Sequence, residues 1–254
     1  MIYAGIDAGS RAIKVVLLDE SLDIVGFGIQ DQGVKQTKLA SDLLDFTLTK
    51  SGYHHKDIKF SIATGYGRDV LDFADSTITE ITCHAKGILH LHPEAQTIID
   101  IGGQDSKLIR LDDTGSVRDF VMNDRCAAGT GRFLEIVSAL LEIDLNELGK
   151  FAEKADNPSV ISSMCVVFAE TEIIGLLASG ESPENITAGV QASIASRTMA
   201  MAGRKVAEPI IFTGGVALIP GMNVALEKAI GFPVKISNDP QYSGALGAAI
   251  LASR

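Results

Sequence analysis

Two matching stretches decide the fold: IDAGSRAIKVVLLDESLDIVGF from Ile6 to Phe27 and IDIGGQDSKLIRLDDTGSVRDF from Ile99 to Phe120. They align without gaps, so that Asp7 meets Asp100. Each stretch reads as strand, tight turn, strand, turn, strand, because apolar runs alternate with turn signals rich in Asp and Gly. A solenoid needs at least three repeats, so two copies predict a duplicated protein with two similar halves.

The first strand of each copy ends in an Asp-x-Gly turn, at residues 7–9 and 100–102. A carboxylate there can lie near a metal ion or a water, and the glycine lets a phosphate approach the backbone amides. One such turn could need Asp and Gly for its geometry alone, whereas two matched turns favour a clasp around a polyphosphate. A third glycine turn, TGGVA at residues 213–217, follows a short apolar strand and suits contact with a phosphate or a flat ligand.

The C-terminal segment SGALGAAILA, residues 243–252, predicts an apolar helix of small residues that returns to the N-terminal half. We therefore predict an α/β protein in two halves. The first half spans residues 1–92 plus 241–254, and the second spans residues 93–240. The break between them is placed near His92 and Pro93.

Composition limits the classes of function. The chain has 254 residues, of which 46% are apolar and 21% charged, as in ordinary globular proteins. Its formal net charge of −10 argues against nucleic acid and anionic membranes as partners. Met1 leads directly into a strand-like segment, and the longest charge-free stretch is interrupted by glycine and proline, so neither a secretory signal nor a membrane span is predicted. The expected location is the cytoplasm.

Three cysteines, Cys83, Cys126 and Cys165, are too few and too scattered for a disulfide framework or a Cys-x-x-Cys zinc site. The plainest interpretation is that all three are small buried apolar residues. Two of them, however, precede predicted helices. Cys126 comes before a flexible AAGTG loop and a helical pattern that begins at Phe133, and Cys165 comes before a helical pattern that ends near Gly180.

The N-terminus of a helix carries partial positive charge and free N–H groups, which favour a thiolate and can stabilise an anionic metal–sulfur cluster. Ser162 or Ser163 could cap the helix that follows Cys165. One chain has too few cysteines for four-thiolate ligation. A symmetric dimer that contributes two from each chain would supply all four.

Eight motifs carry a resemblance to a known family: IDAGSRAIK, TGYGR, EITCHAKG, IDIGGQDSK, MNDRCAAGTGRFLE, SSMCVVFAETEII, TGGVA and QYSGALGAA. The chain is similar to the ATP-dependent activators of 2-hydroxyacyl-CoA dehydratases, a family that includes ATP-binding subunits of benzoyl-CoA reductases and reductases of double-cubane-cluster proteins. The likeness covers nearly the whole chain, and MNDRCAAGTGRF is its most specific block. It implies the fold of actin, heat-shock chaperones and sugar kinases, in which two ribonuclease-H-like halves enclose a nucleotide cleft.

The resemblance also implies a homodimer that holds one 4Fe–4S cluster between its two chains. Cys126 and Cys165 of each chain would be the four ligands, and Cys83 matches a family cysteine that is not a ligand. A reduced ferredoxin or flavodoxin would supply one electron. ATP hydrolysis would then drive that electron into an iron–sulfur partner enzyme: a 2-hydroxyacyl-CoA dehydratase, a benzoyl-CoA reductase-like enzyme or a double-cubane-cluster protein.

Carried onto this sequence, the family's site for ATP and Mg²⁺ falls on the three glycine turns. The first turn would wrap the β- and γ-phosphates through Gly9, Ser10, Arg11, Ala12 and Lys14, with Asp7 near the Mg²⁺. The second turn would consist of Asp100, Gly102, Gly103 and Gln104. Gly214 and Gly215 would approach the adenosine, and Gln241 would lie near the nucleotide.

Asp7, Asp100 and Gln104 are the expected catalytic residues. Gln104 would orient the attacking water, since a neutral amide can position it without becoming charged. Arg11 departs from the family pattern, in which many members have threonine. Its side chain could bind phosphate more strongly, reach a partner, or remain a solvated surface charge.

Two other functions stay open at this point. A small-molecule kinase would need a substrate pocket and a catalytic carboxylate base, for which the chain is short. A chaperone- or filament-like binding module switched by ATP would need a peptide-binding domain or polymer contacts, and neither shows in the sequence. Among the remaining polar residues, His84 is expected to be structural, and Glu170 and Glu172 are expected to line a helix near the metal–sulfur cluster or the dimer face.

Overall fold

The computed structural model describes residues 1–203 and 206–254. Its strands, in chain order, are β1 (Ile2–Ala8), β2 (Ala12–Asp19), β3 (Ile24–Asp31), β4 (Ile58–Thr64), β5 (Ser76–Thr77), β6 (Thr97–Ile101), β7 (Ser106–Leu111), β8 (Val117–Asn123), β9 (Ile210–Thr213) and β10 (Val234–Ile236). Its α-helices are α1 (Gln36–Lys50), α2 (Glu80–Leu91), α3 (Gly131–Leu141), α4 (Leu148–Ala152), α5 (Val166–Ala178), α6 (Pro183–Ala202), α7 (Met222–Ile230) and α8 (Ser243–Ala252). None of the described helices is long and apolar enough to cross a bilayer.

The chain divides into two compact units. Unit 1 comprises Met1–Glu94, Leu111–Val117 and Gln241–Arg254, and unit 2 comprises Ala95–Arg110 and Arg118–Pro240. The turn of residues 111–117 belongs to unit 1, whereas the sequence-based boundaries put it in the second half. A physical reason is close packing, because a Cβ added at Gly115 would lie 3.1 Å from Cδ1 of Leu89 on α2.

Unit 1 is built on a five-stranded sheet with the order β3-β2-β1-β4-β5. Strand β1 pairs antiparallel with β2 and parallel with β4, and every residue of β1 is buried. Side chains alternate across a strand, so β1 can serve two cores. Ile2, Ala4 and Ile6 pack with α1, and Tyr3 packs with Cys83 of α2 and with α8.

Helix α8 forms where the sequence predicts a helix of small residues, and it approaches both β1 and α2 at backbone distance. A Cβ added at Gly5 would lie 1.9 Å from the carbonyl oxygen of Ala245. One added at Gly247 would lie 1.7 Å from the carbonyl oxygen of Cys83. Glycine is therefore required at both positions because the backbones leave no room for a side chain.

A Gly247→Ala substitution is expected to destabilise the protein by about 3 kcal/mol or more, because its methyl group would force α8 away from α2. Chemical denaturation monitored by circular dichroism would measure the loss. Gly175→Ala on α5 is the matched control, since nothing lies within 4 Å of the added Cβ there. That control should keep or slightly raise the stability, as alanine is the better helix former. Equal unfolding midpoints for the two variants would contradict the close packing.

Unit 2 repeats the same plan. Its sheet has the order β10-β9-β6-β7-β8, with β6 antiparallel to β7 and parallel to β9. Replacing β1 to β5 by β6 to β10 in the order of unit 1 gives this sheet in reverse, so the two sheets share one topology. The register repeats as well, because Asp7 pairs with Lys14 and Asp100 pairs with Lys107. The predicted α/β class with two ribonuclease-H-like halves is confirmed.

The core of unit 2 lies between this sheet and helices α3, α5, α6 and α7. Phe133 of α3 and Phe212 of β9 are its largest fully buried side chains. Helix α3 follows the predicted apolar pattern, and α5 ends at Ala178, two residues before Gly180. Gly180 has φ +88°, a conformation that glycine adopts without strain, which explains why the helix ends there.

Candidate functional site

The first Asp-x-Gly turn lies in unit 1 between β1 and β2. Asp7 is buried, and its Oδ2 accepts a hydrogen bond from Nζ of Lys14 at 3.3 Å. Gln32 secures the turn from β3's end, since its Nε2 donates to the Gly9 carbonyl at 3.0 Å and its backbone N–H donates to the Arg11 carbonyl at 2.9 Å. Arg11 is exposed. The sequence interpretation missed Gln32, whose role depends on strand pairing.

Three of the family-like motifs meet around the Asp7 carboxylate. Gly65, with φ +88°, lies so close that an added Cβ would be 2.4 Å from Oδ1 of Asp7. A Cβ at Gly244 would lie 3.3 Å from Oδ2 of Asp7 and 3.4 Å from Cε1 of His84. His84 shares a buried hydrogen bond of 2.9 Å with Oγ of Ser243. The structural role expected for His84 agrees with this bond, which ties α2 to the start of α8.

The second Asp-x-Gly turn lies in unit 2 and repeats the ion pair of the first. Oδ2 of Asp100 accepts from Nζ of Lys107 at 3.1 Å, and Lys107 also pairs with Asp105. The Lys107 side chain is only 4% exposed, so a buried cation faces the turn. The turn is closed by the Gly102 N–H, which donates to the Asp105 carbonyl at 2.9 Å. Gln104 is exposed at its tip.

The third glycine turn lies directly against the second. Gly214 has φ +89°, and an added Cβ would lie 2.9 Å from Oδ1 of Asp100. The Gly214 N–H and the Thr213 hydroxyl both donate to the Pro240 carbonyl. Gly215 begins a 3₁₀ turn, Gly215–Leu218, and α7 starts only at Met222. The predicted strand, glycine pair and helix thus include an inserted turn.

The residues expected to bind nucleotide therefore fall into two groups. The group in unit 1 consists of Asp7, Gly9, Ser10, Arg11, Ala12, Lys14 and Gln241. The group in unit 2 consists of Asp100, Gly102, Gly103, Gln104, Gly214 and Gly215. Within unit 2 the backbone amides and the Asp100 carboxylate converge, an arrangement that can receive a phosphate and a divalent cation.

The N-terminus of α3 is bonded to the second turn. The Gly131 N–H donates to the Gly102 carbonyl, and the Arg132 N–H donates to the Gly103 carbonyl, each at 2.9 Å. A Cβ at Gly131 would lie 3.1 Å from the Gly102 oxygen and 3.2 Å from Cγ2 of Val216. Gly131 thus touches both the second and the third turn. The sequence interpretation did not single it out, although it lies in the most specific motif.

Cys126 stands just ahead of this helix and is exposed. Asn123 brackets it, because its Oδ1 accepts from the Cys126 N–H at 2.9 Å and its Nδ2 donates to the Cys126 carbonyl at 2.8 Å. The predicted flexible AAGTG loop is wrong. Residues Ala127–Gly129 form a 3₁₀ turn, and Thr130 caps α3 through a bond from the Arg132 N–H.

Cys165 is also exposed and is itself the N-cap residue of α5. The predicted capping by Ser162 or Ser163 is wrong, because both residues bond to Glu172 instead. One oxygen of that carboxylate accepts from the N–H and hydroxyl of Ser162, and the other accepts from the Ser163 N–H. Burial alone would raise the pKa of Glu172, but these hydrogen bonds outweigh it and lower the pKa to about 2.

Folding brings the two cysteine segments together. Sγ of Cys126 donates to the carbonyl of Met164, the residue before Cys165, at 3.5 Å. Two free, exposed thiols at two helical N-termini are donors that fit an iron–sulfur cluster. Among the described residues, no group of three or more His, Cys, Asp or Glu side chains could hold a metal ion. One chain therefore offers two thiolates, which is half of a four-thiolate set.

Cys83 differs from both. It is fully buried on α2, and burial raises the pKa of its thiol to about 12. A thiol with such a pKa stays protonated at neutral pH and is a poor metal ligand.

An exposed apolar surface surrounds Cys165. Met164, Val167, Phe168 and Ile174 are between 51% and 79% exposed. Large apolar side chains gathered on one face of a helix mark an interaction surface. The periodicity of α5 in the sequence does not reveal this face, because the helix is apolar on nearly every side.

Several known proteins are similar to this chain over nearly all of its length. Residues 4–252 match the model of the BadF/BadG/BcrA/BcrD ATPase family. The activator of lactoyl-CoA dehydratase from Anaerotignum propionicum is 46% identical, with 99% of this chain and 97% of the relative covered. A benzoyl-CoA reductase component from Thauera aromatica is 35% identical, with 98% and 92% covered. The structure of the activator of the 2-hydroxyisocaproyl-CoA dehydratase from Clostridium difficile with bound ADPNP superposes with a TM-score of 0.94 at 41% identity, covering 100% of this chain and 94% of that one.

Proposed function

This chain belongs to the BadF/BadG/BcrA/BcrD ATPase family, and from that premise we propose that it uses ATP hydrolysis to drive an electron into a partner iron–sulfur enzyme. The electron would leave from a 4Fe–4S cluster shared by two copies of the chain. The observation that carries the proposal is the direct bonding between the second glycine turn and the helix that follows Cys126.

That bonding joins the nucleotide chemistry to the cysteine. Gly102 and Gly103 accept from the first two N–H groups of α3, and Cys126 lies five residues ahead of Gly131 on a 3₁₀ turn. A turn that gains or loses a phosphate contact must shift these carbonyls. Helix α3 and the Cys126 segment would follow, because the hydrogen bonds leave no slack between them. ATP and ADP then favour different positions of Cys126, which is the requirement for coupling.

For the hydrolysis itself, the two lysine–carboxylate pairs are the basic tools. Lys14 and Lys107 are positioned to pass from carboxylate to phosphate, since an ammonium binds either as a point charge. Asp7 and Asp100 would hold Mg²⁺ through their oxygens, and the ion would neutralise charge on the β- and γ-phosphates. Gln104, exposed at the tip of its turn, would orient the attacking water.

Cys126 and Cys165 from each of two chains would hold the 4Fe–4S cluster. When bound, it accepts and releases a single electron. The exposed apolar surface around Cys165 supports a homodimer, because a second copy would cover it. A reduced ferredoxin or flavodoxin is the proposed donor. The relatives' names support an acceptor of the 2-hydroxyacyl-CoA dehydratase or benzoyl-CoA reductase class, with a double-cubane-cluster protein as a third choice.

A Gln104→Ala variant tests the ATP-driven step. Anaerobically purified, chemically reduced protein would be mixed with ATP and a 2-hydroxyacyl-CoA dehydratase, and phosphate release and bleaching of visible absorbance would be followed. We expect hydrolysis and electron transfer to fall together by about 100-fold, because the water loses its orienting group. ATP affinity should change little.

Gln96→Ala, in the same unit but away from the turns, is the matched control and should behave as wild type. Electron transfer at the same rate without ATP would refute the proposal. Iron-free protein that releases ADP only when a small hydroxyl acceptor is added would instead favour a kinase.

A further inference from the structure

The three residues before Cys165 are held from two sides by charged side chains. Glu172 of α5 accepts the N–H groups of Ser162 and Ser163, at 2.9 Å each. Arg197 of α6 takes the carbonyls, with Nη2 donating to Ser163 at 2.7 Å and Nη1 donating to Met164 at 3.2 Å. The segment has no regular secondary structure, so these bonds fix its path to Cys165.

Arg197 also lies against the other cysteine segment. The Met164 carbonyl that accepts from Nη1 of Arg197 is the same oxygen that accepts from Sγ of Cys126. A Cβ added at Gly129, in the 3₁₀ turn after Cys126, would lie 3.8 Å from Cβ of Arg197. Nε of Arg197 is turned towards Oγ of Ser193 at 3.4 Å, which orients the guanidinium from its own helix. One cation therefore stands between the two cysteine segments.

From these contacts we propose that Arg197 is a positioning residue for the iron–sulfur cluster. It holds the Cys126 and Cys165 segments together and places a fixed positive charge beside them. This inference rests on the proposed function, since it concerns the same metal–sulfur site. Groups behind the ligands that orient them typically change metal affinity 10–100-fold, roughly, when they are removed.

Each role has its own physical consequence. The planar fork of arginine can bond two carbonyls at once, a task for which the compact ammonium of lysine is not shaped. Loss of the fork should therefore loosen the ligands and speed the loss of iron. Reduction adds negative charge to the site, which a nearby cation favours. Loss of the charge should therefore move the reduction potential to a more negative value.

Two variants separate these roles in the full-length, anaerobically purified dimer. Arg197→Gln removes both charge and fork, and Arg197→Lys keeps the charge alone. Iron release would be timed with a strong chelator, and the midpoint potential would be measured by a titration followed by electron paramagnetic resonance. We expect Arg197→Gln to release iron about 10-fold faster or more and to show a more negative potential. Arg197→Lys should restore the potential but not the retention of iron.

Arg118→Gln is the matched control, because it removes the same charge from β8, where the side chain is 54% exposed and pairs with Asp119. It should match wild type in both measurements. An Arg197→Gln variant with wild-type iron release and potential would overturn the role of Arg197 while leaving the proposed function intact. An equal shift in Arg118→Gln would also overturn it. Iron-free wild-type protein would instead overturn the proposed function. If Arg197→Gln fails to fold, as judged by its thermal midpoint, Arg197→Lys alone decides, and wild-type iron retention in that variant would refute the fork.

Discussion

Replacing either Cys126 or Cys165 by serine is expected to give a dimer without bound iron and without ATP-driven electron transfer. Wild-type protein purified without oxygen should carry about four irons and an equal amount of sulfide per dimer, as a single 4Fe–4S cluster requires. Serine offers a hard oxygen with a high pKa in place of a soft thiolate, so each substitution removes two of the four ligands from a symmetric dimer. Iron, acid-labile sulfide and the visible absorption spectrum would be measured together.

Cys83→Ser is the control for this experiment. Because Cys83 is fully buried and the pKa of its thiol is about 12, its replacement should leave the iron content unchanged. Wild-type iron in Cys126→Ser or in Cys165→Ser would remove that residue from the ligand set. Loss of iron in all three variants would point to a general folding defect, which the thermal midpoints would reveal.

The second large effect is expected at Gly131. A valine there would press its branched side chain against the Gly102 carbonyl and Val216, since even a Cβ would lie within 3.1 and 3.2 Å of them. The N-terminus of α3 would have to leave the second glycine turn. Misplacement of such a catalytic turn by about 1 Å can cost on the order of 100-fold in rate. We therefore expect Gly131→Val to lose ATP-driven electron transfer by about that factor while keeping its iron.

A graded comparison makes this prediction sharp. Gly131→Ala should fall between wild type and Gly131→Val, because its single methyl group needs a shift of only a few tenths of an ångström. Ala139→Val adds the same branched side chain at an exposed position of α3 and should retain the wild-type rate. Stopped-flow absorbance with ATP, together with iron analysis, would measure each variant. A wild-type rate in Gly131→Val would show that the bond to the turn is not part of the coupling.

Local sequence signals predicted much of the fold. The duplicated stretches predicted two three-stranded meanders, which the structure forms as β1 to β3 and β6 to β8. The helical periodicity after Cys126 and Cys165 predicted α3 and α5. These signals are readable because turn residues and side-chain periods act over a few neighbouring positions.

The same local rules failed where a distant residue competed for a polar group. A serine before a helix is an ordinary N-cap, yet Ser162 and Ser163 bond to Glu172 from the next turns of α5. A glycine-rich segment is ordinarily flexible, yet residues 127–129 form a 3₁₀ turn, because Asn123 and the N-terminus of α3 hold both of its ends. Tertiary contacts overrode local preference in both cases.

By itself, the sequence determined the two-fold repeat, the three glycine turns and the placement of Cys126 and Cys165 ahead of helices. Only the tertiary structure decided which groups face them. Arg197 reaches Ser163 across 34 residues of chain, and the bond from Gly131 to Gly102 joins a helix to a turn beyond an intervening strand. Such pairs have no fixed spacing in a sequence, because they form when packed elements bring their polar groups within hydrogen-bonding distance. Burial then makes those bonds obligatory, since an unpaired polar group inside the protein costs free energy.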